Sequence, residues 1–267
     1  MNRLDRKFNE LKQKRKKAFV AFIMAGDPSL GTTKKLILEL EKSGADIIEL
    51  GVPFSDPLAD GPTIQRSSER ALKHKVNIDS VSNLVRNVRS ETDVPIVFLT
   101  YYNLIYHYGL DKFVKKATSS GVDGVIIPDL PPEESKDLQR IARKNKFSLI
   151  HLAAPTSSRE RLRKISDAST GFIYYVSLTG TTGARNKLPK EISGSLRRLK
   201  RVTKKPVCVG FGISTPNQVR SISKSADGVI VGSAIIKVIE RNIGKKDLVK
   251  KVGRFVQCLA LDRPVQG

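Results

Sequence analysis

The sequence predicts a (β/α)8 TIM barrel with an N-terminal capping helix, and three observations predict it. Eight apolar runs fall near 18–24, 46–50, 95–101, 124–128, 148–152, 172–177, 206–210 and 228–231, with helical patterns between them. Eight such units in ~250 residues is the count of this architecture. The runs are continuous rather than alternating, as in parallel strands covered on both faces. A unit also recurs: Ser43-Gly-Ala-Asp-Ile-Ile-Glu-Leu-Gly51, Ser120-Gly-Val-Asp-Gly-Val-Ile-Ile-Pro128 and Ser225-Ala-Asp-Gly-Val-Ile-Val-Gly232. In each, a helical pattern ends at a small residue and an apolar run follows. Glycine suits that helix end because it adopts positive φ cheaply.

In chain order, Leu4, Phe8 and Leu11 stand at helical spacing and predict the short amphipathic cap. The run 18–24 is the first strand. Helices are expected over 32–42, 63–73, 110–119, 133–144, 159–168, 192–202 and 216–224, each lying between two of the runs. The third and seventh strands open on Pro95 and Pro206. A doubly wound open sheet is the competing architecture, but no GxGxxG follows the first strand. No linker or low-complexity break appears, so residues 1–267 read as one domain.

Composition excludes several classes. Hydrophobic residues make up 39% and charged residues 28%, enough for a sizeable core and too apolar for global disorder. No stretch approaches the ~20 apolar residues of a membrane span. Cys208 and Cys258 form no metal or redox motif and suit a reducing compartment. The basic N-terminus lacks an apolar core and carries Asp5 and Glu10, unlike a secretory signal or a transit peptide. The cytoplasm is therefore the expected location, with a plastid stroma as the alternative. The net charge of +22 is spread along the chain. Its densest runs, 12–17 and 196–205, have no interleaved aromatics for base stacking, which argues against nucleic acid. Solvated charge accounts for it, and an acidic partner protein would suit it through steering.

In such a barrel the useful residues stand where strands end. Glu49 ends the second strand, and period two turns it into the mouth if Ile48 and Leu50 pack under the helices. Half-burial would raise its pKa toward neutrality, which suits a general acid–base; a structural ion pair is the plainer alternative. The loop after it is stiffened by Asp56-Pro57 and Asp60-Gly61-Pro62. It would hold Asp60 over the mouth, unless Asp60 instead caps the next helix. Tyr174 and Tyr175 face opposite sides of the sixth strand, and 100–103 (Thr-Tyr-Tyr-Asn) carries the same ambiguity. Glycines in 179–183, 210–214 and at 232, with a helix starting at Ser233, read as a phosphate cradle. No His/Cys cluster suggests a metal, and His74, His107 and His151 stand apart.

The stretch from Glu49 to Gln65, ELGVPFSDPLADGPTIQ, closely resembles the signature of the tryptophan synthase α subunit family. The likeness extends through Phe19–Phe22, Ala25–Pro28, Tyr101–Asn103, Pro128–Pro131, Gly180–Gly183, Gly210–Ser214 and Gly232–Ile235, across all eight units. It implies a TIM-barrel lyase that cleaves indole-3-glycerol phosphate to indole and glyceraldehyde 3-phosphate. Glu49 and Asp60 would be the catalytic pair. Matching Gly171 and Gly183 puts the family's tyrosine on Tyr174. Phosphate would lie on the N–H groups of Gly183, Gly212, Gly232 and Ser233. Phe22, Leu99, Tyr101 and Asp129 would line the indole and glycerol parts, and Thr182 on a lid loop would reach Asp60. The resemblance implies no cofactor in this chain. Pyridoxal phosphate would belong to a β subunit in an α2β2 heterotetramer, contacted through the 53–60 loop and the Asn103 region. A stand-alone lyase is the alternative. Two departures from the family stand out: the +22 charge, and Leu178 where relatives often carry a polar residue.

Overall fold

Asn2 starts the chain's first helix by accepting the Asp5 N–H on its side chain. In the computed structural model, which describes residues 2–176, 190–210 and 212–261, that helix is α1 (Arg3–Gln13). It buries the expected stripe of Leu4, Phe8 and Leu11. The Phe8 ring lies 5.7 Å from that of Phe172, and a Cβ on Gly171 would fall 2.7 Å from Leu4. The cap therefore plugs the bottom of the barrel.

The elements then follow as β1 (Ala18–Met24), α2 (Leu30–Lys42), β2 (Ile47–Gly51), α3 (Pro62–Leu72), α4 (Ile78–Val88), β3 (Ile96–Leu99), α5 (Tyr102–Tyr108) and α6 (Leu110–Ser119). Next come β4 (Gly124–Ile126), α7 (Lys136–Lys144), β5 (Ser148–Ile150), β6 (Leu152–Ala153), α8 (Arg159–Ala168), β7 (Ile173–Val176) and α9 (Lys190–Lys200). The chain continues with β8 (Val207–Gly210), α10 (Pro216–Ser223), β9 (Gly228–Val231), α11 (Ser233–Glu240) and α12 (Leu248–Leu261). All strand pairs are parallel, in the order β5-β4-β3-β2-β1-β9-β8-β7-β6. The two end strands are halves of one apolar run interrupted at His151. One half pairs with β4 and the other with β7, so the ring closes through the chain itself. That closure excludes the open doubly wound sheet.

Alternation sorts each strand into two cores. Val20, Ile47, Val97, Ile126, Ile150, Phe172, Cys208 and Ile230 fill the interior. Phe19, Ile23, Ile48, Leu50, Phe98, Ile173, Tyr175 and Val209 pack under the helices. Both faces are apolar, which is why the alternation is silent in the sequence.

Helices α4 and α5, which periodicity did not single out, stand between strands. The α4 sequence, IDSVSNLVRNV, is rich in β-branched and cap-type residues with weak helix propensity. A capping box between Asn77 and Ser80 and the burial of Ile78, Val81, Leu84, Val85 and Val88 outweigh it. The expected helix over 133–144 starts only at Lys136, because Pro131 and Pro132 direct a turn instead. Among the described residues no helix is long and apolar enough to cross a membrane.

Candidate active site

Glu49 is the central residue of β2, two residues before its end rather than at it, in register with Phe22 of β1. Ile48 and Leu50 belong to the outer core and Ile47 to the inner one, so Glu49 faces the barrel interior. It is 1% exposed, and its Oε2 has no hydrogen-bond partner among the described residues. Among the described residues no basic side chain pairs with this carboxyl. The causes that act on it are burial above all, and then the charge of Asp60, which raise its pKa to about 8.

Asp60 lies on the β2–α3 loop, and it does not cap α3. Gly61 is the N-cap residue, and no side chain caps that end. Asp60 instead meets Tyr101, whose hydroxyl accepts the Ala59 N–H at 3.2 Å and bonds the Asp60 carboxylate. Burial raises the Asp60 pKa to about 6, and the Tyr101 bond works against that rise. Tyr101 is thus the inward member of the Tyr101–Tyr102 pair, buried and tilted 5.3 Å from the Phe54 ring.

Phe22 lies across the mouth between two glycines. A Cβ on Gly51 would come within 3.0 Å of its ring, and one on Gly232 within 3.2 Å. Gly210 has the same relation to Tyr174, whose ring carbons would lie 2.8 Å from an added Cβ. Tyr174 points inward beside Cys208, while Tyr175 packs outward. These glycines therefore clear space for two aromatic rings. Gly212 adopts φ +75°, a conformation that favours glycine. Gly232 precedes α11 as its N-cap, with Ser233 exposed at its start and no side chain capping it.

Leu99 ends β3 opposite Gly51, at the mouth. Asp129 lies on the rim, and its carboxylate accepts the Tyr102 N–H at 2.9 Å, which caps α5. Thr182 and Gly183 lie outside the described residues, as does Leu178.

Three positioning contacts had no signal in the sequence. Gln65 donates to the Asp60 carbonyl at 2.9 Å. Ser68 exchanges two 3.0 Å bonds with the Phe54 backbone. Arg70 reaches from α3 to Asp27 and Glu240. The first two are local and the Arg70 contacts span distant segments, but all use residue types common on any helix surface, so only the fold reveals them.

Taken together, the mouth holds a neutral buried acid, a second acid with a lower pKa, two aromatic rings and an uncapped helix N-terminus facing it. Such a set can move a proton at an aromatic carbon and seat an anion. The family model described as tryptophan synthase alpha chain matches residues 8–261. The chain is 47% identical over 259 residues to the tryptophan synthase alpha chain of Caldanaerobacter subterraneus, covering 97% of this chain and 98% of that one. It is 48% identical to the alpha chain of Geotalea daltonii, over 97% of this chain and 98% of the other. The crystal structure of the Legionella pneumophila alpha chain is similar with a TM-score of 0.90 at 40% identity, covering 98% of this chain and 97% of that one.

Proposed function

The chain belongs to the tryptophan synthase alpha chain family and cleaves indole-3-glycerol phosphate to indole and glyceraldehyde 3-phosphate, and from that premise we propose that Glu49 and Asp60 carry the chemistry. The observation that supports this most is the buried Glu49 carboxyl, whose pKa of about 8 keeps it protonated at neutral pH.

Breaking the bond between indole C3 and the glycerol chain leaves an electron pair that must be accommodated. Glu49 gives its proton to C3, which turns the ring nitrogen into an electron-accepting iminium. The resulting carboxylate takes the proton of the hydroxyl on the adjacent side-chain carbon. The C–C bond then breaks, its electrons restore the aromatic indole, and the hydroxyl carbon becomes the aldehyde of glyceraldehyde 3-phosphate. The proton count on Glu49 returns to its start. Asp60, ionised above about pH 6, accepts the indole N–H and stabilises the positive charge that develops there. Phe22, Leu99, Tyr101 and Tyr174 bound the indole, and Asp129 lies toward the glycerol. The N–H groups of Gly183, Gly212, Gly232 and Ser233 hold the phosphate, while Thr182 joins Asp60 when substrate is bound.

A β subunit is the partner, and we assign the contact to the 53–60 loop with the Asn103 region. Leu58 is 92% exposed and Tyr106 66% exposed there, large apolar groups that a partner would cover. The assembly is an α2β2 heterotetramer in the cytoplasm. Pyridoxal phosphate resides in β, and residues 1–267 act as one barrel domain.

The test is steady-state indole formation by wild type, Glu49→Gln and Asp60→Asn, alone and with a tryptophan synthase β subunit. Slow release alone, acceleration by β and loss in both variants is the expected result. Equal rates in Glu49→Gln and wild type overturn the assignment. Fast release indifferent to β identifies a stand-alone lyase.

A further inference from the structure

Four charged side chains outside the mouth join three segments that sequence keeps far apart. Asp27, on the loop after β1, is fully buried. The Arg70 fork grips it with Nε to Oδ1 at 2.7 Å and Nη2 to Oδ2 at 2.8 Å, and Ser67 donates to the same carboxylate. The remaining Arg70 nitrogen, Nη1, donates to Glu240 at 2.9 Å. Arg66, one turn earlier on α3, takes the same Glu240 with a two-point grip at 2.8 and 3.0 Å. Glu240 is the last residue of α11.

The two helices so joined carry opposite ends of the proposed site. Asp60 precedes the Gly61 N-cap of α3, and Gly232 and Ser233 open α11. Neither helix follows the simple strand–helix alternation: α4 follows α3 before the next strand, and α12 follows α11. Both lie at the rim, since a Cβ on Gly26 after β1 would meet Ala71 at 3.3 Å and one on Gly232 would meet Phe22. We propose that Arg70 and Glu240 are positioning residues that fix the indole-side acid against the phosphate-side amides, coupling the two halves of the substrate site. This rests on the reading of Asp60 and the α11 N-terminus given above.

The leverage is simple. An eight-residue helix is about 12 Å long, so a tilt of about 5° at Glu240 moves its first N–H by about 1 Å. A misplacement of about 1 Å can cost on the order of 10²-fold in rate. The Glu240 link is also separable from the buried charge, because Glu240→Gln leaves Asp27 held by Arg70 and Ser67.

The experiment measures indole affinity by calorimetry with and without saturating inorganic phosphate, beside kcat and KM for indole-3-glycerol phosphate and thermal midpoints. In wild type, phosphate is expected to tighten indole about fivefold or more, a usual size for coupling between sites. In Glu240→Gln the factor falls below about twofold and kcat/KM drops about tenfold, while the chain stays folded. Arg70→Lys also loses coupling, because an ammonium lacks the fork needed to serve Asp27 and Glu240 together. Wild-type coupling retained in Glu240→Gln, with only the thermal midpoint lowered, reduces the cluster to a structural brace and overturns the inference. So does a wild type that releases indole without coupling. A wild type that releases no indole overturns the reading of Glu49 and Asp60 first, and this inference with it.

Discussion

Glu49 and Asp60 are both carboxylic acids, yet burial leaves them in different protonation states at neutral pH. Their pKa values of about 8 and about 6 predict a bell-shaped kcat/KM for indole-3-glycerol phosphate, with apparent limbs near those values. The acid limb reports Asp60 becoming ionised and the alkaline limb reports Glu49 losing its proton. Asp60→Asn is expected to remove the acid limb from whatever activity remains. Glu49→Gln is expected to lower kcat by about 10²–10⁴-fold, the usual share of general acid–base catalysis. The same residue burdens the fold. Its pKa is raised from 4.5 to about 8, so the unfolded chain releases the proton first and stability is lost as pH rises between those values. Glu49→Gln therefore gains stability over wild type as pH rises. The gain at pH 8 exceeds that at pH 5 by on the order of 3 kcal/mol, measurable by denaturant unfolding at the two pH values. Glu49 stood out in the sequence as a candidate because an acid within an otherwise apolar strand is uncommon. That its Oε2 has no hydrogen-bond partner among the described residues was not legible, since that depends on what the other strands bring.

At the scale of elements, the loop from β2 to α3 is held by its neighbours rather than by its prolines alone. Tyr101, the N-cap residue of α5, reaches back to Ala59 and Asp60 and lowers the Asp60 pKa. Tyr101→Phe is expected to raise that pKa and move the acid limb of the rate profile to higher pH, with indole release followed across pH as the check. The glycines make a similar point about βα junctions. Gly232→Ala puts a methyl 3.2 Å from Phe22, so the ring must shift. The expected outcome is a KM rise with a stability loss of about 1–3 kcal/mol, the range for overpacking. From sequence these glycines read as anion-binding turns, because a glycine looks the same whether it admits a phosphate or a ring. The α3 helix was legible from Pro62 and its period. The α4 helix was not, because its cap and burial decide against its own propensity.

Over the whole molecule, the +22 charge finds a partial account in the helices. Helix after helix ends in basic residues, among them Lys12, Lys42, Arg86, Lys116, Arg143 and Lys200. Cations there oppose the negative end of the helix dipole. In a (β/α)8 barrel the outer helices run back toward the face opposite the mouth. Lys17 and Lys200, from the two densest basic runs, meet on that face at Asp227. The mouth side is marked instead by exposed apolar groups. Leu58→Asp is expected to weaken stimulation by a β subunit about tenfold, equivalent to ~1.4 kcal/mol, with a smaller change in indole release by the chain alone. Titrating β into each protein while following indole provides the check.

The sequence by itself determined the eight units, the amphipathic cap, the place of Glu49 in the second strand and the stiff loop bearing Asp60, because each depends on near neighbours and on period. The tertiary structure decided which of Tyr101 and Tyr102, and of Tyr174 and Tyr175, faces the interior. It also decided that Asp60 meets Tyr101 instead of capping α3, and that Arg70 joins Asp27 to Glu240. Those outcomes depend on ring closure, which sets residues from distant units side by side, and no local pattern records which apolar face a closed sheet turns inward.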